Sequence, residues 1–295
     1  HDQVMQDFAD SYLRGETPIP CVRCNQTVKF TDLLATARDL SADCLATGHY
    51  VQLLETDRGV LLARGADLVK DQSYFLFATT TEQLAFLRFP LGGMRKDETR
   101  DLARRYGLVV SEKPDSQDIC FVPNGRYGEV VRRLRPGAVD AGDIRHLDGT
   151  VLGRHNGVID YTIGQRRGLG IGGRKDGDES EGPLYVVGID ADTNTVLVGP
   201  QAALACREVQ LREVNWINGK PEDGTRVLAR LRNTAPLASA HICCDSSDEA
   251  PAIIILDKPQ FGIAVGQAAA IYHGDDADIL LGGGWISKAP LVTDS

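Results

Sequence analysis

The chain changes texture at Pro136-Gly137, and that break restricts it to folds assembled from unlike parts. Upstream, apolar runs alternate with helical patterns, as in an α/β unit. Cys44-Leu45-Ala46 is a short apolar run ending at Thr47-Gly48-His49, the way a buried strand ends in a functional loop of an open α/β sheet. Tyr50–Leu54 and Val60–Ala63 flank Thr56-Asp57-Arg58-Gly59 and read as a hairpin. Thr31-Asp32 reads as the cap of a helix with Leu33, Leu34, Ala37 and Leu40 on its apolar stripe. Lys96–Tyr106 reads as a charged helix stopped by Gly107. Downstream, glycine-rich, short alternating segments take over. Leu184–Ile189 and Thr195–Val198 read as paired strands, and the polar stretch Gly173–Gly182 as a loop. Val227–Arg232, Ala252–Leu256, Ala268–Tyr272 and the closing Gly282-Gly283-Gly284-Trp285-Ile286 read as further strands. Three units are expected: α/β over 1–135, a β-rich connector over 136–205, and a C-terminal β-barrel over 206–295.

With 295 residues and 42% apolar content, the chain can bury more than one core. No apolar run is long enough to span a membrane, and no signal peptide is evident. Seven cysteines, an odd and irregularly spaced set, do not form a secreted disulfide framework, so a reducing cytoplasm is expected. The net charge of −9 argues weakly against a polyanionic partner, but its distribution is uneven. Residues 88–135 hold eleven Arg or Lys against seven acids, and residues 153–175 hold five against one. Local positive patches steer a polyanion even on an acidic protein. Solvated helix faces are the plainer reading of each patch alone.

Cys24 and Cys120 lie in polar, turn-prone stretches and are read as loop thiols, free to approach a partner and react. Cys21-Val22-Arg23-Cys24 is a CxxC of several possible meanings. A zinc site would need two further ligands, and adjacent Cys243-Cys244 is poor ligand spacing, so no metal site is expected. A redox pair would open a helix after a strand, whereas Pro18 and Pro20 precede this one. Arg23 and Lys29 would favour a thiolate if they face it. Thr47–Tyr50, Lys70–Ser73 and Tyr161–Gly170 each have an ordinary reading as a turn, a cap or a glycine-rich loop.

In order, however, these stretches resemble the bacterial tRNA-specific 2-thiouridylases. The resemblance is carried by TPIPCVRCNQTVKF, ATGHYV, ARGADLVKDQSYFLF, KPDSQDICFV, YTIGQRRGLGI and AVGQAAAIY, which span Thr17 to Tyr272. It implies an adenine-nucleotide α-hydrolase-like, pyrophosphatase-loop α/β domain, then two β-rich domains, the last a barrel. It implies ATP with Mg²⁺, adenylation of the wobble uridine, and a sulfur-relay partner that loads a persulfide onto Cys120. Cys24 is then the nucleophile, and an alternate Cys24–Cys120 disulfide forms. Gly48 matches an ATP contact. Ile19, Pro20 and Cys21 match the region of the target base. His49, Lys70, Asp71, Gln72, Arg230, Leu231 and Gln267 match tRNA contacts.

Two departures bear on this reading. The family's SGGxDSS pyrophosphate loop is absent from the 295 residues, and His1 begins mid-pattern without an initiator Met. The chain therefore reads as cut at its N-terminus and is expected not to adenylate by itself. Ile19 and Cys21 also stand where many family members carry Asn and Asp, and Cys21 offers an additional thiol in place of that acid. Three alternatives stay open: another adenylating enzyme of the α/β superfamily, a non-catalytic RNA-binding protein, and a CxxC redox module.

Overall fold

The computed structural model describes residues 2–57, 59–112, 119–122, 125–171, 182–244 and 251–289. The Asp115–Asp118 stretch and all of the expected Gly173–Gly182 loop but Gly182 lie outside them. Helix α1 (Asp2–Leu13) is followed by one long helical path, made of α2 (Pro20–Arg23), a π-helical stretch (Cys24–Leu33) and α3 (Leu34–Asp39). Pro20 sits in the first turn, where its missing N–H is not needed. Cys24 therefore lies within a helix and not on a loop, and Thr31-Asp32 falls inside that helix instead of capping it. The path is wound as a π helix over Cys24–Leu33 and buries Val22, Phe30 and Leu34, while Leu33 and Leu40 of the expected stripe are exposed.

The remaining upstream elements are close to expectation. Strand β1 (Leu45–Ala46) pairs in parallel with β4 (Leu87–Arg88), and β2 (Val51–Thr56) with β3 (Gly59–Arg64) forms the hairpin. Between them α4 (Thr81–Phe86) starts at a reciprocal Thr80–Gln83 capping box. Helix α5 (Lys96–Arg105) stops where Gly107 takes φ +64°, a left-handed conformation that glycine adopts without strain. Helix α6 (Tyr127–Leu134) leads into the central sheet of β5 (Gly142–His146), β6 (Val151–His155), β7 (Tyr185–Asp190) and β8 (Thr195–Gly199), ordered β6-β5-β8-β7.

The last unit is a closed six-stranded barrel. Its strands are β9 (Ala205–Trp216), β10 (Thr225–Arg230), β11 (Ala238–Cys243), β12 (Ala252–Phe261), β13 (Ala268–His273) and β14 (Ile279–Lys288). They run in the order β13-β10-β11-β12-β9-β14, and β14 returns to pair with β13. Closure leaves the barrel without a free edge between its own strands. The β2–β3 hairpin nevertheless extends it, because Ala63 and Leu62 pair with Ile279 and Leu280 of β14.

Three apolar cores result, and two of them cross the unit boundaries seen in the sequence. One fills the barrel around Val209, Leu211, Ile242, Ile254 and Ile271. A second joins Val22, Phe30, Leu62, Tyr74 and Phe77 of the α/β part to Ala268, Tyr272, Leu280 and Trp285 of the barrel. A third joins Phe8 and Tyr12 of α1, Val122 and α6 to the central sheet. The helix carrying Cys24 is packed by the second core, and the segment carrying Cys120 by the third.

Candidate active site

All seven cysteines are free thiols, with Cys21 and Cys120 exposed and Cys24 half-buried. Cys21 and Cys24 are joined by one turn of helix, in which the Cys24 N–H donates to the Cys21 carbonyl. Cys120 comes from a distant stretch whose next residues are anchored. Phe121 meets the Phe8 ring edge-on at 5.2 Å, and Val122 is buried beside it. Helix α1, which carries Phe8, packs against α2. Cys24 and Cys120 are thereby both brought within electrostatic reach of Cys21. The Cys21 thiol is pushed up first by desolvation, since protein surrounds the sulfur although the residue is exposed. The neighbouring Cys120 and Cys24 push it further, and Lys29 opposes them.

Arg23 has a different task from the one its position beside Cys24 suggests. Its guanidinium grips both carboxylate oxygens of Glu213, at 2.7 and 3.0 Å. It also lies 4.4 Å from the centre of the Trp285 ring and 3.7 Å from Asp7. Glu213 takes φ +49° within β9, a costly conformation for a side chain with a Cβ, and Arg23 holds its carboxyl below the usual range. The expectation that Arg23 faces the thiol is thus replaced by a clamp tying α2 to the barrel, and Lys29 is the cation that Cys21 feels. A partner 190 residues away leaves no local trace in the sequence.

The segment before Cys21 is tied to the same barrel. Thr17 N–H donates to the Val265 carbonyl at 2.8 Å, and Gln267 Nε2 donates to the Thr17 carbonyl at 3.0 Å. Gly266, at φ +85°, permits this approach, since a Cβ there would stand 2.8 Å from Glu16 Cβ. Gln267, Ile19 and Pro20 are therefore brought together, with Ile19 and Pro20 lining a cavity of ≈ 120 Å³ between α1, α2 and the barrel.

Gly48 is exposed in the loop after β1, at the carboxyl end of a parallel strand where α/β folds bind ligands. His49 sits between the rings of Phe30 and Phe89, with Nδ1 2.7 Å from Thr47 Oγ1. Burial, with the nearby Lys29 cation, lowers its pKa to about 4, so the imidazole is neutral at physiological pH. Gln72 braces this loop by accepting from Tyr50 N–H at 2.9 Å.

Asp71 and Arg230 lie against each other at 2.9 Å, both buried, with Asp71 also accepting from Ser73 and Gly65. Their side chains are spent on tying the Lys70–Ser73 segment to β10 and do not face solvent, and Leu231 is buried next to them. Lys70, by contrast, is half-buried. Among the basic clusters, Arg132 is paired with Asp160 and Arg135 with Asp10, whereas Arg133, Arg166 and Arg167 are exposed.

Comparison with known proteins fits this arrangement. Family models described as a tRNA methyl transferase HUP domain, a tRNA methyl transferase PRC-barrel domain and an aminomethyltransferase β-barrel domain match residues 1–124, 132–200 and 206–286. The tRNA-specific 2-thiouridylase MnmA of Rhodospirillum centenum is 59% identical over 99% of this chain and 74% of its own length. The proteins of the same name from Paracoccus denitrificans and Maricaulis maris are 55% and 54% identical, over 97% of this chain and 72% and 69% of their lengths. On sequence and architecture alike, the chain belongs to the tRNA-specific 2-thiouridylase family.

Proposed function

We propose that this chain is a tRNA-uridine 2-sulfurtransferase of the cytoplasm, which exchanges the wobble-uridine C2 oxygen for sulfur with the use of ATP. The observation that carries this reading is that Cys24 and Cys120, from two stretches packed by different cores, both lie close enough to Cys21 to raise its pKa. A thiol pair held this way suits a carrier and an attacker. Cys120, exposed on its short segment, accepts sulfane sulfur from a persulfide-bearing relay protein. Cys24 attacks the Cys120 sulfur, the bond between that sulfur and the sulfane sulfur breaks, and a Cys24–Cys120 disulfide remains. The sulfur leaves either as hydrosulfide that adds to C2 or already bonded to C2, and both routes end in the same disulfide.

ATP, when bound, supplies the adenylate that makes the uridine oxygen a leaving group. The exposed Gly48 loop beyond β1 suits a backbone contact to the nucleotide. Among the described residues no three His, Cys, Asp or Glu side chains converge on an ion position, so Mg²⁺ would be held by the phosphates. Ile19, Pro20 and Cys21 border the target base, which an anticodon presents already unpaired. His49, Lys70 and Gln72 are assigned to tRNA contact by their match to the family's positions. Asp71, Arg230, Leu231 and Gln267 serve the same surface from beneath, by fixing its backbone. The exposed Arg166 and Arg167 neutralise phosphates.

Labelled-sulfur transfer tests the reading, with a persulfide donor, ATP and tRNA. Cys24→Ser should accept label and form little thiouridine, and Cys120→Ser should accept none at the site. Label on Cys24 in the Cys120→Ser protein would reverse the roles. Thiouridine formation by the Cys24→Ser, Cys120→Ser protein would leave RNA binding without thiol catalysis.

A further inference from the structure

The chemistry above uses two thiols and leaves a third in the same cluster. Cys21 is exposed, one helical turn from Cys24, and close enough to Cys120 to feel its charge. We propose that Cys21 is a resolving thiol, which captures Cys24 from the Cys24–Cys120 disulfide and returns Cys120 to the reduced state for another load of sulfur. The inference rests on the roles given to Cys24 and Cys120.

The step balances without an added reagent. The Cys21 thiolate attacks Cys24 Sγ, the bond between the Cys24 and Cys120 sulfurs breaks, and Cys120 departs as thiolate. The proton lost by Cys21 matches the one that Cys120 later takes up. One disulfide is exchanged for another, and an external dithiol then reduces the Cys21–Cys24 bond. The geometry favours this capture. Residues three apart on a helix have Cβ atoms about 5–6 Å apart. A disulfide needs about 3.8 Å, so tightening a single turn closes the bond. The Cys24–Cys120 bond, in contrast, joins stretches held by separate cores.

The same cluster orders the events. In the dithiol state Cys21 is held protonated by desolvation and by its two thiol neighbours, with only Lys29 acting against them. A protonated Cys21 does not compete for the persulfide on Cys120. Once Cys24 and Cys120 are joined, neither sulfur can ionise, so no neighbouring thiolate opposes the ionisation of Cys21. Lys29 then meets less opposition, and Cys21 ionises more readily when there is a disulfide to attack.

Time-resolved disulfide mapping tests this on the whole chain, reduced, then treated with one equivalent of diamide, acid-quenched and alkylated. In the unsubstituted protein a Cys24–Cys120 bond should appear first and decline as Cys21–Cys24 grows and Cys120 becomes alkylatable. In Cys21→Ser and in Cys21→Asp the Cys24–Cys120 bond should persist. A lasting Cys24–Cys120 bond beside a free Cys21 in the unsubstituted protein would overturn the proposal. So would a Cys21–Cys24 bond that no Cys24–Cys120 bond precedes. Thiouridine formation, measured in parallel with tRNA, ATP and a persulfide donor, should show a lower ratio of later turnovers to the first in Cys21→Ser when dithiol is limiting, whatever the size of the first turnover, and excess dithiol should restore that ratio. Absence of thiouridine is expected from the 295 residues without the pyrophosphate loop, its absence from a protein that carries the loop would sink the assigned function, and the mapping alone decides the exchange.

Discussion

At the scale of single residues, charge is controlled by what each group is packed against. His49 shows this most plainly, enclosed by Phe30 and Phe89 near Lys29, with a pKa of about 4. Its folded value lies below the unfolded value of about 6.5, so the contribution to stability is complete above that pH. As pH falls toward 4 the unfolded chain takes up a proton that the folded one refuses, at a cost of at most about 3 kcal/mol. We expect His49→Gln to flatten the loss of stability between pH 6.5 and pH 4, read from urea midpoints at each pH. An unchanged slope would mean that His49 is not held neutral by its surroundings. Arg23 teaches the complementary lesson. Its sequence neighbour is Cys24, yet its charge is satisfied by Glu213, so adjacency in the chain is a poor guide to who feels a cation.

At the scale of elements, the Lys70–Ser73 segment depends on one buried ion pair to stay on β10. Asp71 and Arg230 have side chains 0% and 8% exposed, so removing Asp71 leaves Arg230 charged without a carboxylate, and removing Arg230 leaves Asp71 with only the more distant Arg64, at 3.5 Å. Asp71→Asn or Arg230→Met should each cost about 3–5 kcal/mol, and the double substitution less than the sum. Denaturant unfolding of the three proteins measures the cycle, and strict additivity would mean that the pair is not coupled. The elements differ in how legible they were. Turn chemistry made the β7–β8 hairpin and the Gly107 stop plain, because glycine and short polar turns act locally. The helix through Cys24 was hidden because Cys24–Leu33 buries only Asn25 and Phe30, too few apolar positions to mark a stripe. The family motifs located Cys24 and Cys120, but nothing local linked them. Their meeting depends on Phe121 reaching Phe8, and the support beneath Cys24 on Arg23 reaching Glu213.

At the scale of the whole molecule, surface charge and shared cores decide binding and folding. Arg166 and Arg167 are exposed, whereas Arg132 is engaged by Asp160. Replacing both of the former with Gln should reduce the slope of log K against log salt for tRNA binding by about 1.5. Arg132→Gln should change it little, and equal effects would mean that the ion pair opens on binding. Deleting residues 262–295 removes β13 and β14, and with them Ala268, Tyr272, Leu280 and Trp285 from the core under Cys24. The remaining α/β part should lose cooperative unfolding, as seen by circular dichroism and limited proteolysis, and retained cooperativity would show that it folds alone. The pairing of β3 with β14 also imposes a schedule on synthesis. Ribosomes add about 5–20 residues per second, so Cys21, Cys24 and Cys120 emerge roughly ten seconds or more before β14 exists to support them. For that interval the nascent chain carries thiols with no fixed neighbours, open to whatever oxidant or chaperone meets them. Strand β14, translated long after Cys120, is the one that completes the core on which the Cys24 helix rests.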